Sequence, residues 1–145
     1  MASNILIAKA EILINAPVEK VWDAFINPEI IKKYMFGTQV SSDWKEGSSI
    51  TWKGEWKGKP YEDKGKIIKI IPLQQLQYTH YSPITGQEDK PENYHTVTIY
   101  LTKNADQTHV LLSQDNNASE KDKEHSEKNW QMMLTSLKDL LEKNA

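Results

Sequence analysis

Residues 119–143 read SEKDKEHSEKNWQMMLTSLKDLLEK, and the reading of this stretch decides the fold. Trp130, Met133, Leu134, Leu137, Leu140 and Leu141 recur at spacings of three and four, which lines them along one stripe of an α-helix. Glu120, Lys121, Asp122, Glu124, Lys128, Lys138 and Glu142 fall on the other side, which predicts a solvated face. Ser119 has the chemistry of an N-cap, and Glu120 and Asp122 place negative charge in the first turn, where the helix dipole favours it. Most of the preceding chain reads as short alternating strands. A single long amphipathic helix beside strands must bury its stripe on a sheet.

The strands are visible by alternation. Leu6, Ala8, Ala10, Ile12 and Ile14 form one apolar face opposite Lys9 and Glu11. Asn15-Ala16-Pro17 stops this strand, and Pro17 suits a helix start. Val18, Val21, Trp22 and Phe25 then predict a short amphipathic helix, and Asn27 is a cap for a second one from Pro28 to about Tyr34. Ile50, Trp52, Gly54 and Trp56 share one face against Thr51, Lys53, Glu55 and Lys57, with a weaker strand at 39–43 as partner. Lys57-Gly58-Lys59-Pro60 reads as a hairpin turn. Strands follow at 61–71, where Gly65 predicts a bulge or a close backbone approach, and at 75–81. A polar loop at 82–93 precedes a hairpin of 94–102 with 108–115. Helices segregated from a meander of about six strands give an α+β class. A curved sheet round one helix leaves a cavity wherever the helix does not fill its concave side.

Composition narrows the chemistry. A chain of 145 residues can form one domain, 1–145, with a core of its own. Cysteine is absent, which excludes disulfides, thiolate metal sites and a cysteine nucleophile. Net charge is −2, and all 18 cationic residues are lysine, so no arginine is present to read guanine or phosphate in bidentate fashion. No nucleic-acid partner is expected. Neither a signal peptide nor a membrane span is legible, and a cytoplasmic location is expected. The histidines, His80, His95, His109 and His125, show no paired spacing, so no metal and no cofactor is expected. Adjacent acids at Glu62-Asp63 and Glu88-Asp89 point to opposite faces of an extended chain and cannot form an acid–base dyad. Trp22 and Trp130, on helical stripes, read as structural.

Ala16-Pro17-Val18-Glu19-Lys20-Val21-Trp22-Asp23-Ala24-Phe25, followed by Asn27-Pro28-Glu29 and Tyr34, resembles the opening of the START-like (SRPBCC) superfamily, closest to its branch named after activators of the Hsp-90 ATPase. Gly65 to Leu76 before Tyr78-Thr79, Thr108 to Leu112, and Trp130 at the head of the last apolar run agree with that branch. The resemblance implies a helix-grip (START/Bet v-like) fold: a curved antiparallel sheet wrapped around the C-terminal helix, with two small helices closing one end. It also implies three functional readings. The first is a non-catalytic domain holding a small apolar or amphipathic molecule between sheet and helix, walled by Trp52, Trp56, Tyr78, His80, Val97, Ile99, Met133 and Leu137. Tyr34, Met35 and Phe36 would form its lid, or alternatively a docking patch. The second is a stress-related interaction module with a chaperone partner. The third is a cyclase- or dehydratase-type enzyme with His80 or His95 as acid–base group. As strand-end residues, these two histidines equally suit hydrogen bonds to backbone. Trp52, Trp56 and Tyr78 equally suit plain core packing.

Overall fold

The computed structural model describes residues 6–56, 58–83 and 86–143; Lys57, in the expected 57–60 turn, and the side chain of Trp56 lie outside the described residues. Seven antiparallel strands form one sheet in the order β1-β7-β6-β5-β4-β3-β2. They are β1 (Ala8–Ile14), β2 (Gln39–Ser42), β3 (Ser49–Trp56), β4 (Lys59–Ile71), β5 (Gln75–His80), β6 (His95–Asn104) and β7 (Gln107–Gln114). Helices α1 (Val18–Ile26) and α2 (Pro28–Tyr34) follow β1, and α3 (Glu120–Lys143) ends the chain. The expected helix-grip architecture is the observed one, with boundaries within a few residues. No described helix is long and apolar enough to cross a membrane.

The apolar stripe of α3 behaves as its spacing dictates. Met133, Leu134, Leu137 and Leu141 are buried, against Ala10, Ile14, Leu76, Val97, Ile99, Val110 and Leu112 in one core cluster. Ser119 caps the helix, accepting the Asp122 N–H at 3.1 Å. At the other end the Lys20 ammonium donates to the Leu141 carbonyl. Helix α2 is fixed by Asn27, whose Oδ1 accepts the Glu29 N–H, and by Tyr34, whose hydroxyl donates to the Ala24 carbonyl at 2.7 Å.

Of the face expected to be solvated, Glu120, Lys121, Asp122, Glu124 and Lys128 are exposed, whereas Lys138 and Glu142 are engaged with β1. Strand β1 is an edge, and its outer backbone groups point at the helix. Lys9 and Asn15 donate their N–H groups to Glu127 and Glu142, at 3.0 and 2.8 Å. The carbonyls of Glu11 and Leu13 accept from Gln131 and Lys138, at 3.2 and 3.0 Å. Lys138 also pairs with Glu142. Lys138 and Glu142, which read as solvated polarity, therefore join Glu127 and Gln131 on the free edge of β1, because α3 lies along it. The opposite edge, β2, is limited to four residues. Both are ways of blunting an edge that would otherwise pair with another chain.

Gly65 takes the second of its two expected roles. A Cβ there would sit 1.7 Å from the Thr79 carbonyl oxygen, so only glycine permits β4 and β5 to approach. The register irregularity in this pair lies further on, between Ile67 and Lys69.

Two outcomes follow. Leu137→Ala removes fully buried packing and should cost about 2–5 kcal/mol in denaturant unfolding, whereas Lys128→Ala, on an exposed position, should be nearly silent. Glu142 is held below its usual carboxylate range by Lys138, and by the Asn15 N–H. A depressed folded-state pKa stabilises above the unfolded pKa and loses that contribution as pH falls. Melting temperature should therefore drop less steeply on acidification from about pH 5 to about pH 3 in Glu142→Gln than in the wild type. Parallel pH profiles would refute the clamp's electrostatic part.

Candidate functional site

On the concave face Tyr78 stands opposite Val97, and Leu76 opposite Ile99. Ile50 and Trp52 extend this surface onto β3, and α3 lays Trp130 and Met133 over it. What remains open between sheet, α2 and α3 is a chamber of about 30 Å³. Four of the expected walls border it: Trp52, Tyr78, Ile99 and Met133. The rings of Trp52 and Tyr78 lie 5.3 Å apart on its wall. Val97 and Leu137 are buried in the core without bordering the chamber, and His80 lies on the far side of Trp52, 4.9 Å from its ring. The room is that of one or two water molecules, against roughly 300 Å³ for a small-molecule pocket.

A second space of about 290 Å³ opens outside it, bordered by Phe36, Thr38, Gln114, Ser126 and Asn129. Met35, Trp130 and Met133 border both spaces, so these three side chains form the partition between chamber and mouth. The mouth has a fixed polar side. Trp130 donates its indole N–H to Gln114 Oε1 at 2.6 Å, Ser126 donates to Asn117 Oδ1, and Asn117 donates to the Leu6 and Gln114 carbonyls. Its other side is formed by Met35, Phe36 and Thr38.

The segment expected as a lid divides into three fates. Tyr34 is buried, and desolvation pushes its hydroxyl pKa well up, so it remains a neutral donor to Ala24. Met35 is half-buried at the partition. Phe36 is 75% exposed and occupies the left-handed region at φ 57°, followed by Gly37 at φ 87°. That backbone swings the Phe36 ring to the rim.

His80 Nε2 pairs with Asp63 Oδ2 at 2.9 Å, and Asp63 Oδ1 is buried with no partner among the described residues. His95 stands opposite His80 in the β5–β6 register, and its Nδ1–H donates to the Asp115 carbonyl at 2.9 Å. The alternative expected for strand-end histidines, a bond to backbone, is thus what His95 makes. Neither histidine borders the chamber or the mouth. Among the described residues no three His, Cys, Asp or Glu side chains converge as a metal site.

The sequence profile of the family described as "Activator of Hsp90 ATPase homolog 1-like protein" matches residues 15–142. The chain belongs to this family. No protein of curated function matches the AHSA1-type chain. Its structure superposes on the solution structure of ChR145 from Cytophaga hutchinsonii at 60% identity and a TM-score of 0.84, covering 95% of this chain and 94% of the other. The Aha1 dimer from Colwellia psychrerythraea shares the fold at 24% identity and a TM-score of 0.71, covering 93% and 95%. CalU16 from Micromonospora echinospora does so at 23% and 0.70, covering 90% and 70%.

Sequence reasoning missed Trp44, Gln114, Ser126 and Asn129, and it placed Trp130 among purely structural residues. Trp44 sits at φ 56° in the connection between β2 and β3, outside any periodic pattern. The signal for Trp130 was its indole N–H, which needs a partner when half-buried. Trp130→Phe keeps an aromatic ring but strips the donor from Gln114, and should cost about 1–3 kcal/mol in chemical denaturation. Wild-type stability in this variant would mean the polar side of the mouth is not held by that bond.

Proposed function

We propose that this AHSA1-family domain is a non-catalytic binding module for a small amphipathic molecule, taken in at the mouth between α2 and α3. The observation that carries this reading is the partition of Met35, Trp130 and Met133, shared by a mouth of about 290 Å³ and an apolar chamber of about 30 Å³. Unbranched methionines repack at low cost, so the two spaces can merge when an apolar tail enters. The ligand's polar end would then meet Gln114, Ser126 and Asn129. The enzyme reading is weaker, since a general acid or base must come within hydrogen-bond reach of its substrate. His80 and His95 stand outside both spaces.

A second reading, docking to a chaperone as the family description implies, is favoured by one observation. Phe36 and Met132 are 75% and 59% exposed and border the same shallow surface groove on α3. Two adjacent apolar side chains at that exposure are the start of an interaction patch.

One experiment separates the readings. Calorimetric titration with medium-chain fatty acids and planar alcohols should give saturable binding in the wild type, weakened about tenfold in Met35→Trp, which narrows the mouth. Absence of saturable binding across the panel would sink the binding-module reading. In parallel, stimulation of an Hsp90-type chaperone's ATP turnover that is lost in Phe36→Ala, in a protein without saturable ligand binding, would establish docking instead.

A further inference from the structure

The convex face of the sheet carries a larger opening than the concave one. Ser49 and Thr51 of β3 stand opposite Lys66 and Lys64 of β4, on the face turned away from Trp52 and Asp63. Together with Thr79 of β5 they form the floor of a groove of about 530 Å³. Its wall is formed by Asp89, Pro91 and Tyr94, from the segment 86–94 that precedes β6. That wall is pinned on several sides. The rings of Tyr81 and Tyr94 stack at 5.2 Å, and the Tyr81 hydroxyl donates to the Gln87 carbonyl. Asn116 donates to the carbonyls of Glu92 and Tyr94.

The floor is an array of donors. Thr79 Oγ1 accepts the Lys66 N–H, so its own proton is free to point into the groove. The Lys66 ammonium forms no ion pair with any described residue. The Lys64 ammonium is taken by Asp89, which also accepts from the Tyr94 hydroxyl. Asp89 is thus a carboxylate that the protein itself presents to this array. Its pKa is lowered by Lys64 and by Tyr94, as expected for an anion bound where donors converge. Pro91 and the Tyr94 ring supply a flat apolar side next to it.

We propose that this convex-face groove binds a small organic anion, a carboxylate or phosphate monoester on a flat apolar body. Lys66 and the floor hydroxyls hold the anionic group, the body lies along Pro91 and Tyr94, and Asp89 holds the neighbouring Lys64 until a ligand competes for it. The site is on the opposite face of the sheet from the mouth between α2 and α3. Binding here neither needs nor excludes binding there.

The test is an amide-resolved NMR titration with four probes: benzoate, phenyl phosphate, inorganic phosphate and benzyl alcohol. Benzoate or phenyl phosphate should give saturable shifts at Thr51, Lys66 and Thr79, and the better of the two tells a carboxylate source from a phosphate ester. Lys66→Ala should weaken that binding about tenfold. Asp89→Asn, which removes the competing charge and keeps the shape, should tighten it. Lys66 is an exposed strand residue, so a native amide spectrum of its variant shows that any loss is local. No saturable shift at these residues up to about 10 mM, equal binding of benzyl alcohol, or an unchanged affinity in Lys66→Ala would each overturn the site. Weaker binding in Asp89→Asn would overturn the role given to Asp89.

Discussion

Helix α3 is held to β1 by two kinds of bond at once, and the rest of the structure depends on that double attachment. Its apolar stripe packs Leu134, Leu137 and Leu141 into the concave sheet. Its flank sends Glu127, Gln131, Lys138 and Glu142 to the backbone edge of β1. Packing alone would let the helix roll, because burial energy has little direction. Hydrogen bonds to alternate residues of an edge strand fix rotation and translation together. They also satisfy groups that would otherwise invite another strand.

The position of the mouth follows from this. With α3 clamped along β1 from Glu127 to Glu142, Ser126, Asn129 and Trp130 in its N-terminal half are brought to the mouth. There they meet Gln114 on one side and Met35 and Phe36 on the other. Tyr34 is anchored to α1 through Ala24, so movement at the mouth falls to Met35, Phe36 and Gly37. The left-handed backbone of Phe36 and Gly37 is the conformation such a turn requires, and glycine supplies it without strain at the second position.

The fold was legible because its signals are periodic. Spacings of three and four gave α3, strict alternation gave β3, and Asn27-Pro28 gave the break between α1 and α2. The candidate site was legible only in part. Trp52, Tyr78, Ile99 and Met133 each fall by period on the apolar face of their own element, and the structure brings them together at one chamber. Polar partners such as Gln114 and Asn129 carry no such signal, since their place depends on how α3 crosses the sheet. The same ignorance made Lys138 and Glu142 look solvated. A helical wheel shows which residues face away from the core, and it does not show that a strand edge lies there. Gly65 gave a true hint of close approach, while its neighbour on the other strand, Thr79, could be named only from the register.

The central claim is that α3 and the sheet are one cooperative unit whose mouth opens locally. Native-state hydrogen exchange measures this directly. The account predicts that the amides of Leu134, Leu137 and Leu141 exchange only through global unfolding, together with those of β6 and β7, while residues 35–37 and 126–130 exchange through smaller openings. Exchange of the Leu134–Leu141 amides well ahead of the sheet, with the mouth as slow as the core, would contradict it.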